Sequence, residues 1–122
     1  MPPFADPAPP QLRRLRQLHR ALGDETRLRI LGLLAELGPM PVNALSSRVG
    51  LSQPLISWHL RILRLAGLIH TERHGREVIC HPHPVAFDEL TALHRELLTG
   101  RVGLASNGAA GNEPAAGVAD VG

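Results

Sequence analysis

Hydrophobic residues recur at helical spacing as far as Gly67 and at alternating spacing just beyond it, and this switch limits the folds open to the chain. Residues 11 to 22, QLRRLRQLHRAL, place Leu12, Leu15, Leu18 and Leu22 on one helix face with arginines opposite, and Gly23 ends the run. Asp24 is an N-cap for a second helix, about 25 to 37, with Leu28, Ile30, Leu31, Leu34 and Leu37 as its buried stripe. GPMP at 38 to 41 reads as a break. A short third helix, about 42 to 49, carries Val42, Leu45 and Val49, and a turn at 50 to 52 follows. Ser52 caps a fourth helix that runs to about Ala66, with Pro54 in its first turn, where a missing N–H costs least. Beyond Gly67, LIHTERHGREVICH predicts two strands, about 68 to 73 and 76 to 81, joined at His74-Gly75. A last helix, about 84 to 98, carries Ala86, Leu90, Leu93 and Leu97 on one face. The expected fold is mainly α, five helices with a small β-hairpin between the fourth and fifth.

The 122 residues suit one domain, with a core of Leu, Ile, Val and Ala because only two Phe and one Trp are present. So few aromatics argue against a single-stranded nucleic-acid binder, which stacks bases on rings. All 13 basic residues are arginine, and over residues 11 to 101 they face eight carboxylates, an excess of +5 that suits a polyanionic partner. A lone cysteine, Cys80, excludes an internal disulfide framework. No apolar run is long enough to span a membrane and the N-terminus lacks a signal core, so a cytoplasmic protein is expected. Residues 1 to 10, with five prolines, read as a disordered arm, residues 11 to 98 as the folded domain, and residues 99 to 122 as a disordered Gly/Ala-rich tail.

A helix of about eight residues, a Gly-containing turn and a longer helix make a helix-turn-helix, and the hairpin after it makes the winged variant. Stepping about 100° per residue from Ile56 puts Leu60, Leu63 and Gly67 on the core side, flanked by Leu55, His59 and Ile62. Gln53, Ser57, Arg61 and Arg64 form the exposed arc, and Trp58 falls roughly 200° from Ile56, off the apolar stripe. Amide, hydroxyl and guanidinium groups read base edges or hold phosphates, and Ser52, Gln53 and Ser57 lie near the helix N-terminus that enters the major groove. A polar arc is ordinarily just a solvated face, but the short polar groups of the first turn favour function. The hairpin tip, with Arg73, His74 and Arg76, is by itself either a solvated hairpin or a phosphate contact; together with the helix it favours contact with double-stranded DNA. Trp58 beside Ser57 is a candidate contact, with packing over the wing or the third helix as its alternative.

ALGDETRLRILGLL, LSQPLISWHLRILRLAGLI and RHGREVI resemble the ArsR/SmtB family of small bacterial winged-helix repressors, over roughly residues 11 to 98. The resemblance implies a transcriptional repressor, an inverted-repeat operator and a homodimer whose first and last helices pair across a two-fold axis. Leu12, Leu15, Leu18, Leu90, Leu93 and Leu97 are the interface candidates, on helix faces that a monomer would leave partly exposed. It also implies that the fourth helix reads DNA through Gln53, Ser57, Trp58 and Arg61.

Many members of that family release DNA on binding metal, but the matching positions here lack ligands. The arsenic-type cysteine pair falls on Pro41 and Asn43, and the last-helix zinc-type ligands fall on Pro84, Ala86, Leu97 and Gly100. No cofactor is expected from them. A non-standard zinc or nickel site would draw on His81, His83 and His94, the last from a partner subunit; exposed loop and interface roles are the alternative. His19, His70 and His74 read as scattered and solvated, His59 as packed at the core edge, and Cys80 as a small core residue. Two other classes remain: a winged-helix protein-interaction module centred on Trp58, which the surrounding arginines disfavour, and an enzyme, for which no phosphate loop, nucleophile elbow or paired metal motif exists.

Overall fold

A computed structural model describes residues 8–105, in which five helices and three short strands surround one aliphatic core. Helix α1 (Pro10–Leu22) leads into α2 (Glu25–Leu37), followed by β1 (Met40–Pro41), α3 (Val42–Val49) and α4 (Gln53–Leu65). Strands β2 (Ile69–His74) and β3 (Glu77–Pro82) form the hairpin, and α5 (Val85–Leu98) closes the series. The disordered segments expected at 1 to 10 and 99 to 122 fall largely outside the described residues; helix α1 begins inside the first of them, at Pro10. No helix among the described residues is long and apolar enough to cross a membrane.

Local chemistry sets the boundaries. The Asp24 carboxylate accepts from the Arg27 backbone N–H at 3.1 Å and caps α2, as its type and position predict. Ser52 caps α4 by accepting from Leu55 N at 3.4 Å. Helix α4 ends in a Schellman turn: Gly67 N donates to Arg64 O at 2.9 Å and Leu68 N to Leu63 O at 3.0 Å. This turn needs a left-handed residue, and Gly67 supplies it at φ 78°. Strand β2 starts two residues later, so Gly67 fixes the angle at which the hairpin leaves the helix.

The sheet order is β1-β3-β2, antiparallel throughout. Strand β1 corrects the reading of residues 38 to 41 as a mere break: Met40 pairs with Cys80 and Pro41 with Ile79. Two residues are too few to show alternation, and Pro41 is tolerated because the strand is an edge. The hairpin register also differs by one step from expectation. His74 pairs with Glu77, so the turn is Gly75-Arg76 rather than His74-Gly75. Gly75, at φ 66°, is the first turn residue instead of the second.

Leu18, Ile30, Leu34, Leu45, Ile56, Leu63, Leu68 and Ile69 are fully buried, and each stabilises the fold by about 1.5–3 kcal/mol relative to exposure. Leu28 and Leu37 depart from the expected stripe of α2, at 51% and 52% exposure. They lie on the flanks of an arc centred on Ile30, Leu31, Leu34 and, unexpectedly, the buried Arg27. Of the six leucines expected at an interface, Leu15, Leu18 and Leu93 are buried by their own chain, while Leu12, Leu90 and Leu97 are half-buried. Arg14 ties α1 to α5 through Glu89, with Nε to Oε2 at 2.9 Å and Nη2 to Oε1 at 2.8 Å. That pairing holds the Glu89 carboxyl below the usual carboxylate range, through the hydrogen bond first and the nearby positive charge as well.

Candidate nucleic-acid interface

The turn between α3 and α4 is held from within. Gly50, left-handed at φ 81°, donates to Ser46 O at 2.9 Å, and the Ser46 hydroxyl donates to the Leu51 carbonyl. This clamps the start of α4, whose first turn points away from the core because Ile56, His59, Leu60 and Leu63 face inward. Gln53, Ser57, Arg61 and Arg64 are exposed on the adjoining arc. Together with Arg76 they line one open groove between α4 and the hairpin, whose floor and walls include Asn43 of α3 and Thr71 of β2. None of these four α4 side chains, nor Arg73 or Arg76, makes a hydrogen bond or ion pair among the described residues; their polar groups are free to meet a ligand.

Other candidates sit around that groove. Ser52 is exposed at the N-cap of α4, and Arg73 and His74 are exposed at the hairpin tip without lining the groove. His74 Nε2 lies 3.3 Å from Glu72 Oε1. Glu77 lies on the groove wall, the one carboxylate among its lining residues. Trp58 is 55% exposed but turned toward α2: its ring meets His59 edge-on at 5.0 Å, and the Arg27 guanidinium carbon is 5.8 Å from its centroid. The structure therefore brings Gln53, Ser57, Arg61, Arg64 and Arg76 together and leaves Trp58 beside them. Asn43 and Thr71 carried no sequence signal, since they enter the groove only through the packing of α3 and β2 against α4.

The histidines are organised rather than scattered. His19 on α1 stacks on His94 of α5, with Nε2 atoms 2.7 Å apart. His70 and His81 face one another across β2 and β3, and His83 meets His70 edge-on at 5.8 Å. The candidate metal set of His81 and His83 takes its His94 from a partner subunit; within one chain, His94 is engaged by His19 of α1. Pro41, Asn43, Pro84, Ala86, Leu97 and Gly100 offer no thiolate, imidazole or carboxylate, so the resemblance's metal positions do not fit a metal here. Cys80 is fully buried, and desolvation pushes its thiol up to about 11, which keeps it protonated and unreactive at neutral pH.

Residues 24–71, which run from the cap of α2 into β2, match the family profile described as bacterial regulatory protein, arsR family. Over 62 residues the chain is 47% identical to the arsenical resistance operon repressor of Escherichia coli K12, covering 51% of this chain and 53% of that one. The chain spans about half to two thirds of the length of the curated relatives it matches. The structure of HlyU from Vibrio cholerae superposes with a TM-score of 0.59 at 32% identity, over 70% of this chain and 94% of that one. A homodimeric winged helix-turn-helix DNA-binding domain from Mycobacterium bovis, a possible ArsR-family regulator, gives 0.59 at 27% identity, over 73% and 85%. With the helix-turn-helix, the wing and these relatives in agreement, the chain belongs to the ArsR family of winged helix-turn-helix transcriptional regulators.

Proposed function

We propose that this chain is a homodimeric repressor of transcription that binds an inverted repeat in double-stranded DNA, in the bacterial cytoplasm, and carries out no chemistry of its own. The observation that carries the reading is the shared groove: the first turns of α4 and the arginine of the wing open onto one surface with their polar groups unpaired. On this reading Ser52, Gln53 and Ser57 approach base edges at the N-terminal end of α4. Arg61, Arg64, Arg73, His74 and Arg76 meet phosphates on either side, and Trp58 borders the contact on the α2 side. The partner subunit packs along α1 and α5, where Leu12, Leu15 and Leu97 line an apolar depression. Leu15, Leu18 and Leu93 support that face from within, while Leu12, Leu90 and Leu97 retain surface to bury. The homodimeric M. bovis domain supports this arrangement.

The deciding experiment is a mobility-shift titration at moderate salt, with the chain's own promoter region against a shuffled duplex of equal length. Preferential binding to the promoter, weakening steeply as salt rises, supports the reading. Equal affinity for both duplexes ends it. The double change R61A and R76A separates the protein-interaction alternative. It abolishes duplex binding if the groove meets DNA, and leaves binding to a protein partner intact if Trp58 is the centre of a protein interface.

A further inference from the structure

The hairpin that carries the wing arginines also gathers imidazole and carboxylate donors on one of its faces. His70 of β2 and His81 of β3 are direct cross-strand partners. Their rings stack with centroids 4.6 Å apart and planes 4° from parallel. Glu72 follows His70 by two residues and so shares its face. One ligand atom from each of the three side chains lies within 4.8 Å of the others. We propose that His70, Glu72 and His81 form an exchangeable binding site for a divalent transition metal of the zinc, cobalt or nickel kind.

Three observations carry this. His81 Nε2 is the one buried side-chain nitrogen or oxygen among the described residues that lacks a hydrogen-bond partner. It stands 3.1 Å from Glu72 Oε1, an ion-pair distance without the alignment of a hydrogen bond, so two potential metal donors are already side by side. Closing the set is also cheap. Metal bonds of about 2.0–2.2 Å bring ligand atoms somewhat closer than they stand, and the exposed His70 and Glu72 side chains can supply that movement by rotation. The donor chemistry sets the class: two imidazoles and a carboxylate suit zinc, cobalt, nickel or copper(II). Cys80, opposite Thr71 on the other face of the hairpin, adds no thiolate. Three protein donors leave a position for water, and two further imidazoles stand close by: His74, whose Nε2 is 3.3 Å from Glu72 Oε1, and His83, edge-on to His70 at 5.8 Å. A bound ion would join β2 to β3 below the tip that bears Arg73 and Arg76, so its mechanical effect falls on the wing.

The site is tested on the untagged full chain, stripped with chelator and titrated with Co²⁺ followed by optical d–d bands and with Zn²⁺ by calorimetry, without DNA. One metal per chain is expected, with affinity reduced about tenfold or more in H81Q and in E72Q. H94Q, which alters the other histidine pair, should bind as the parent does. No uptake at micromolar metal, full affinity in the H70Q/E72Q/H81Q variant, or loss of binding in H94Q instead would each overturn the proposal. Far-UV circular dichroism confirms that each variant is folded. Because the readout is metal alone, the result is independent of whether the chain binds DNA.

Discussion

Arg27 donates from Nη1 to Nδ1 of His59 across 3.1 Å, inside a core otherwise built of aliphatic side chains. A guanidinium has no acceptor, so His59 Nδ1 must accept and the ring proton resides on Nε2. The same guanidinium donates from Nε to Ala21 O at 2.7 Å and from Nη2 to Arg20 O at 3.1 Å. One side chain thereby joins the end of α1, the start of α2 and the middle of α4, the helix that carries the groove. Arg27→Met would keep the volume but leave two carbonyls and an imidazole nitrogen unsatisfied. The expected cost is about 2–4 kcal/mol, read as a fall in Tm on the order of 10–20 °C by calorimetry. A shift of a degree or two would show that the network contributes little.

The groove predicts different behaviour for its two kinds of residue. Arg76→Ala should weaken cognate and shuffled duplex alike and reduce the slope of log affinity against log salt by about 1. Gln53→Ala should weaken the cognate duplex by about 1–3 kcal/mol, leaving shuffled duplex and salt slope almost unchanged. Trp58→Phe, outside the groove lining, should alter affinity by no more than about twofold. Anisotropy titrations at several salt concentrations measure all three. Equal losses on both duplexes for Gln53→Ala would remove it from base reading.

The helices and the polar arc of α4 were legible because helical periodicity is local: Ile56, Leu60 and Leu63 identify the inner side of α4 without reference to anything else. Pairings between elements were not. With the turn at His74-Gly75, His70 falls opposite Ile79 and the hairpin shows no histidine pair. Moving it by one residue, to Gly75-Arg76, shifts every partner by two and sets His70 against His81. Arg27 was hidden for a related reason: it falls on the inner arc of α2, but an arginine is buried only when acceptors converge on it, here two carbonyls and an imidazole from other helices. The same applies to β1, whose two residues become a strand only through β3.

Dimerisation should depend on apolar surface that the chain does not cover itself. Leu98, at the end of α5, is 82% exposed, and Leu12 remains half-buried beside Leu97. Leu98→Glu should shift the species seen by sedimentation from dimer toward monomer at micromolar concentration while leaving far-UV circular dichroism unchanged. Leu12→Glu should do the same. Both variants sedimenting as dimers would move the interface away from these helices.

Buried Cys80 should resist alkylation by iodoacetamide at pH 8 in the folded protein, because its thiol titrates only near 11. Full modification should follow denaturation. Rapid labelling of the native chain, followed by mass spectrometry, would reveal an opening of β3 that the packed sheet does not suggest.

Acid should loosen the fold through its capping and pairing carboxylates. Asp24 is held below the usual carboxylate range mainly by the hydrogen bond from the Arg27 backbone N–H, and Glu89 mainly by the hydrogen bond from Arg14. A depressed folded-state value means the unfolded chain binds more protons, so stability from these groups is present above their ordinary values, about 3.9 and 4.3, and is lost as pH falls through the lower folded values. Both side chains are more than a third exposed, so solvent screening keeps each contribution small. Tm should therefore decline gently between about pH 5 and pH 3. Asp24→Asn can still cap α2 but cannot titrate, so it should lower Tm little at neutral pH and flatten that decline. A variant whose acid profile overlays the parent's would assign the loss to Glu89 and the remaining carboxylates instead.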